Sequence, residues 1–152
     1  IPGPDSEALA SHVQLLDEFL FQEHQKGQLK LPLRKISQEK IWVHGHCHQK
    51  AANATGSTLG ILQTIPGLEV ELIPSSCCGM AGSFGYESEN YEISMKMAEL
   101  SLLPKIRTLD QNHGIVACGT SCRQQIHHGS GKPAMHTAQI LRQAISDASS
   151  IN

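Results

Sequence analysis

The stretch Lys40-Ile41-Trp42-Val43-His44-Gly45-His46-Cys47-His48-Gln49-Lys50 sets a short apolar run against a glycine and then a polar, helix-compatible segment. It reads as a strand over 41–45 followed by a helix over 49–65, the opening of a β-α unit. The same alternation continues downstream: strand 69–73, helix 88–103, strand 115–117, short helix 121–127, strand 134–136 and helix 137–145. Strands that alternate with helices predict an α/β fold, here a three-layer, Rossmann-like domain with a mainly parallel sheet of about four strands. Pro104 is expected to end or kink the helix over 88–103, and Thr137 to cap the last.

Upstream, Asp5 or Ser6 is placed to cap a first helix whose apolar residues Leu9, Val13, Leu16 and Leu20 recur at helical spacing, with Gly27 to end it. Residues 28–39, which include Pro32, read as a connector. The expected organisation is an amino-terminal helix and connector over 1–39 and a cysteine-rich α/β domain over 40–152, together one compact unit. The chain starts at Ile1 rather than methionine, and is expected to be either an excised piece of a larger protein or a processed product. At 152 residues it has the length of one domain, enough to bury roughly two-thirds of its unfolded surface. Twelve Lys and Arg against fourteen Asp and Glu, with no block of like charge, argue against nucleic acid or an anionic membrane as partner. No apolar run approaches the roughly 18 residues of a membrane-spanning helix. A reducing, cytoplasmic setting is expected, with any attachment at a membrane peripheral and made through a larger complex.

Five cysteines carry the chemistry: Cys47, Cys77, Cys78, Cys118 and Cys122. All fall at the carboxyl ends of predicted strands, the edge where open parallel sheets bind ligands. Adjacent cysteines close a disulfide only through a strained ring, so Cys77-Cys78 followed by Gly79 points to two thiolates facing one metal or metal cluster. Thiolates are the preferred ligands of iron–sulfur clusters and of structural zinc. Gly79, Gly82 and Gly85 let the backbone approach a bulky group closely. The plain alternative is a set of small buried hydrophobes. His44, His46 and His48 alternate around Cys47, and a continued strand would put the three imidazoles on one side with Cys47 on the other. They serve either as a zinc ligand or to orient the loop and hydrogen-bond a sulfur. The remaining histidines show no ligand spacing. The glycines match neither a dinucleotide fingerprint nor a phosphate loop, and no nucleophile elbow is present.

At these residues the chain resembles the cysteine-rich CCG-domain family, found in heterodisulfide reductases, the iron–sulfur subunits of glycolate oxidases and lactate-utilisation proteins. The matching elements are His46-Cys47-His48, Cys77-Cys78-Gly79 and Cys122 ahead of Gln125. More narrowly, residues 46–51 and 77–87 are similar to the carboxy-terminal portion of FAD-linked D-lactate and D-2-hydroxyglutarate dehydrogenases. The resemblance implies Cys47, Cys77, Cys78 and Cys122 as ligands of a [4Fe–4S] centre, cubane or non-cubane, with Gly79, His46 and His48 at the cofactor. It also implies FAD in a partner domain or subunit, and electron transfer from flavin to an acceptor. The family pattern ends in Cys-x-x-Cys, whereas Cys118 and Cys122 are spaced by three residues, which sets Cys118 apart as a fifth ligand. Structural zinc in a docking module, and thiol–disulfide chemistry at Cys118 and Cys122, are the rival readings.

Overall fold

The computed structural model describes residues 2–145, so the last seven residues of the expected 40–152 domain lie outside the described residues. Among the described residues three strands form the sheet: β1 (Lys40–His44), β2 (Glu69–Leu72) and β3 (His113–Ala117). They run in the order β2-β1-β3, all parallel, with Lys40 opposite Glu69 and His113, and His44 opposite Ala117. The expected α/β class therefore holds. The strand expected at 134–136 contributes a single bridge: Met135 accepts from Ala117 N–H and donates to Ile115 carbonyl, alongside Val116.

The strand sequences dictate the layering, because successive side chains point to opposite faces. Ile41, Val43 and Val116 face a core built with Ile61, Leu62, Ile140 and Leu141. Those residues lie on α4 (Thr55–Gln63) and α8 (Thr137–Ala144). Trp42, Ile115 and Ala117 face the opposite way, onto Leu102, Ile106 and Ile126. These come from α6 (Leu102–Arg107) and α7 (Thr120–Ser130). Burial on both faces is what makes β1 and β3 continuous apolar runs rather than alternating ones. The edge strand β2 instead exposes Glu69 and Glu71, both of which pair with Lys40.

Several expected helices are interrupted, each for a local reason. The first divides into α1 (Pro4–His12) and α2 (Leu16–Gln25), because the Glu18 carboxylate takes the Leu15 N–H at 2.8 Å and starts a new helix there. Leu9 and Val13 consequently stay exposed, and only α2 packs, through Leu20 and Phe21. The helix expected over 49–65 divides into α3 (Cys47–Ala51) and α4, with Asn53 in the left-handed region at φ 55°. Asn tolerates that conformation better than most residues. The helix expected over 88–103 becomes a 3₁₀ turn at Ser88–Asn90, α5 (Tyr91–Glu99) and then α6. Pro104 is the third residue of α6, where no intrahelical N–H bond is needed. A helix continuous through 100–101 would drive its ring into the Leu100 carbonyl. The cap of α8 is His136 rather than Thr137: its Nδ1 accepts from Ala138 N–H at 3.1 Å and its own N–H donates to Gln139 Oε1 at 2.8 Å.

Thr137 is occupied elsewhere. Its hydroxyl donates to Asp17 Oδ2 at 3.1 Å, and Thr58 donates to the same oxygen at 2.6 Å. Asp17 is 2% exposed, so α2 is fastened to α4 and α8 by a buried carboxylate. Thr58 also accepts from Gln49 Nε2 at 3.2 Å, which extends the network to α3. Removing that hydroxyl leaves both partners buried and short of a bond. Thr58→Val is therefore expected to lower unfolding free energy by about 2 kcal/mol, read as a reduced urea midpoint with an unchanged slope.

Candidate metal centre

The sheet order places β1 between β2 and β3, and the chain passes from one side of β1 to the other after β2. The carboxyl ends of β1 and β3 thus flank the switch point where such sheets bind ligands. Cys47 opens α3 just beyond β1, and Cys122 lies in the first turn of α7 beyond β3. The Cys77-Cys78 loop follows β2 and is drawn onto α3 by Lys50, whose Nζ donates to the carbonyls of Ser75 and Ser76. Within this loop Gly79, Ala81 and Gly82 all have positive φ, so the chain doubles back around the doublet. Gly79 N–H donates to Cys77 Sγ at 3.3 Å.

Cys78 and Cys122 are buried with their sulfurs 3.3 Å apart, one thiol hydrogen between them. The Cys122 hydrogen bond is the main reason that Cys78 is brought down to about 4, against burial and with help from the nearby His44 ring and the Met80 N–H. Cys122 moves the opposite way, pushed up by the same shared hydrogen and then by burial. The two thiols are thus pushed in opposite directions by the hydrogen that they share, and they titrate as a pair. Cys47 lies beside Cys77, and burial followed by that contact raises its thiol; the Lys50 ammonium opposes the rise.

His44 completes the group. It occupies the same face of β1 as Trp42, and one of its ring nitrogens lies within 4.8 Å of both Cys78 and Cys122 sulfurs. Nδ1 is hydrogen-bonded to Ser75 Oγ at 2.8 Å, whereas Nε2 is buried and has no hydrogen-bond partner among the described residues. Strand parity was the signal available for it: the buried face of Trp42 continues to His44.

The other two histidines do not share that side, because the strand stops at His44 and alternation stops with it. His46 is the cap of α3, with Nδ1 accepting from His48 N–H at 3.2 Å and its own N–H donating to Gln49 Oε1 at 3.0 Å. The rings of His46 and His48 meet edge to face, centroids 5.1 Å apart. Burial first, then the neighbouring His48, holds His46 below the usual imidazole range. Both line a cavity of about 410 Å³ with Leu15, Asp17, Cys118 and His136. His46 also stands between that cavity and the sulfurs. A methyl group built on Gly119 would lie 2.5 Å from His46 Cδ2 and 3.1 Å from Cys122 Sγ, so this wall has no room for one.

Cys118 faces Asp17. Its thiol lies 3.2 Å from Asp17 Oδ2 and 3.4 Å from Thr137 Oγ1, on the cavity side. Burial raises it, only partly offset by Thr137. Cys118→Ser is expected to leave metal occupancy within about twofold of the parent, since a hydroxyl makes the same bond to Asp17. Metal analysis after identical anaerobic loading measures this. Near-complete loss of metal would place Cys118 among the ligands.

Thiols converging from three chain segments, together with a buried imidazole nitrogen, form a donor set that fits a thiophilic metal centre. Two thiolates on one tetrahedral ion stand about 3.8 Å apart, close to the present 3.3 Å between Cys78 and Cys122.

A cysteine- and histidine-lined centre at the switch point of a parallel α/β sheet defines the class. Among known proteins, the chain is similar to a subunit of the anaerobic glycerol-3-phosphate dehydrogenase of Escherichia coli K12, 29% identical over 143 residues. It is also similar to the D-2-hydroxyglutarate dehydrogenases of Escherichia coli K12 and Pantoea ananatis, each 33% identical, over 116 and 137 residues. These alignments take in 93%, 75% and 88% of this chain but 35%, 11% and 13% of the relatives. The chain thus spans about a third of the first and a small part of the others. It matches no family model and no solved structure. Among the described residues, no helix is long and apolar enough to cross a membrane.

Proposed function

We propose that this chain is an iron–sulfur electron-transfer domain working with a flavin-dependent 2-hydroxy-acid dehydrogenase, of the D-lactate, glycolate or 2-hydroxyglutarate type. The observation that carries this reading is the convergence of Cys78, Cys122 and His44 at the carboxyl edge of the sheet, with Cys47 beside Cys77. Relatives that bear the names of dehydrogenases support it, and so does the small share of them that the chain covers. The flavin and the site of substrate oxidation would belong to a partner domain or subunit.

Cys47, Cys77, Cys78 and Cys122 would hold the centre, which when bound supplies one-electron transfer between flavin and an acceptor. The chain's own residues would set its environment. Lys50 keeps the doublet loop against α3, the Gly79 and Met80 N–H groups donate toward Cys77 and Cys78, and the aliphatic layer behind them, Ile73, Leu102 and Ile126, excludes water. Such donors and burial are what tune a cluster's potential.

Anaerobic loading with iron and sulfide, followed by visible absorption, EPR and metal analysis, tests the proposal. Bound iron and sulfide with a reducible chromophore are expected. Stoichiometric zinc and no iron under those conditions would overturn it in favour of a structural zinc module. That second reading has the single point of convergence in its favour. Thiol–disulfide chemistry between Cys118 and Cys122 has less support, since the one is bonded to Asp17 and Thr137 and the other to Cys78.

A further inference from the structure

His44 is a buried imidazole in the middle of a thiol cluster, 1% exposed and assigned no role by the cysteine pattern. Burying an unpaired imidazole nitrogen costs free energy unless something bonds to it. Among the described residues Nε2 makes no hydrogen bond of good geometry; the ring's one close polar neighbour besides Ser75, which holds Nδ1, is the Cys78 thiol that it helps to bring down. The same ring lies with its ligating atom within 4.8 Å of Cys78 Sγ and Cys122 Sγ. A histidine that ligates a metal through one nitrogen characteristically has the other fixed by a hydrogen bond, which sets the tautomer and aims the lone pair. Ser75 Oγ occupies that second position. It is fixed in turn, because the carbonyls of Ser75 and Ser76 are clamped by Lys50.

We propose that His44 is a nitrogen ligand of the metal centre, so that the site is a mixed cysteine–histidine set with Nε2 bound beside Cys78 and Cys122. This assignment rests on the metal-centre reading above and adds to its four cysteines. The structure thereby assigns a residue of β1, not of a loop, to the metal: the ligand is seated on the central strand of the sheet. Ser75 is a positioning residue acting through His44.

The test uses the 152-residue chain loaded anaerobically with iron and sulfide, with and without ¹⁵N-histidine. X-ray absorption at the iron edge and pulsed EPR of the reduced protein read the ligands directly. Scattering from the outer atoms of an imidazole ring and a hyperfine coupling that changes with ¹⁵N are expected. Both should be lost in His44→Ala and retained in His46→Ala and His48→Ala. If His44→Ala fails to take up metal, His44→Cys supplies the second arm: restored loading with an all-sulfur ligand set supports the assignment. Ser75→Ala is expected to keep the nitrogen signal with altered coupling. An all-sulfur ligand set in the loaded parent protein, or a nitrogen signal that survives His44→Ala, would overturn the assignment while leaving the electron-transfer reading intact. Failure of the parent to bind iron overturns the electron-transfer reading instead. In that case zinc-edge absorption on the zinc-loaded protein decides His44 by the same nitrogen signal.

Discussion

Cys78→Ser is expected to reduce iron occupancy to under about a tenth of the parent value, since loss of even a residue that only supports a ligand costs a metal site roughly 10- to 100-fold in affinity. Three things are lost at once. Cys78 is the thiol of the sulfur pair that is brought down, to about 4, chiefly by Cys122, and a serine hydroxyl stays neutral in that position. Cys122, buried and raised, loses the sulfur with which it shares a hydrogen. The doublet loses the member that is inside the core, 3% exposed, and keeps only the half-buried Cys77. Iron and sulfide analysis after identical loading measures the effect, with far-UV circular dichroism to establish that the variant is folded. Retention of full occupancy would mean that the metal is held elsewhere.

Gly79→Ala is expected to cost about 3 kcal/mol of stability and to lower metal loading with it, for the backbone and the packing both oppose a methyl group there. Gly79 has φ +90°, a region that L side chains rarely adopt, and a methyl group would fall inside the contact radius of the Ser94 backbone carbonyl. That carbonyl belongs to α5 and cannot rotate away as a side chain does. The loop and α5 would have to part, and they are joined through Ser94 Oγ, which donates to Met80 Sδ and is itself held by Gln125 of α7. Gly82→Ala is the control: φ is +70° and nothing lies within 4 Å of the added group. It is expected to cost only about 1 kcal/mol, the backbone contribution alone. Equal losses for the two variants in chemical denaturation would remove packing against α5 from the explanation.

Strand alternation made the layers of this molecule legible in its sequence, because Ile41, Trp42 and Val43 are buried on opposite faces and each face has its own helices. The cysteine positions relative to strand ends were legible for the same reason. What local pattern could not convey was where helices stop. Pro104 did signal a break, which falls at 100–101 with the proline in the first turn of α6, but the left-handed Asn53 and the Glu18 cap are each decided by one residue's bonding, and apolar spacing runs through both unchanged. The histidines show the cost of extending a period too far. Alternation from 44 to 48 assumes a strand, but the chain turns at Gly45 and begins a helix at Cys47, so His44 goes inward while His46 and His48 go to the cavity. Lys50 carries no local signal at all: its partners, the carbonyls of Ser75 and Ser76, lie 25 and 26 residues away.

Asp17 bears on how this polypeptide can be cut. Its carboxylate accepts from Thr58, Cys118 and Thr137, which lie 41, 101 and 120 positions further along. A shortened version beginning at residue 40 would leave all three donors facing the space α2 had filled, and would uncover the apolar residues beneath Leu20 and Phe21. By contrast α1 buries no residue. A recombinant boundary at residue 14 should yield soluble, protease-resistant material, and one at residue 40 should yield inclusion bodies.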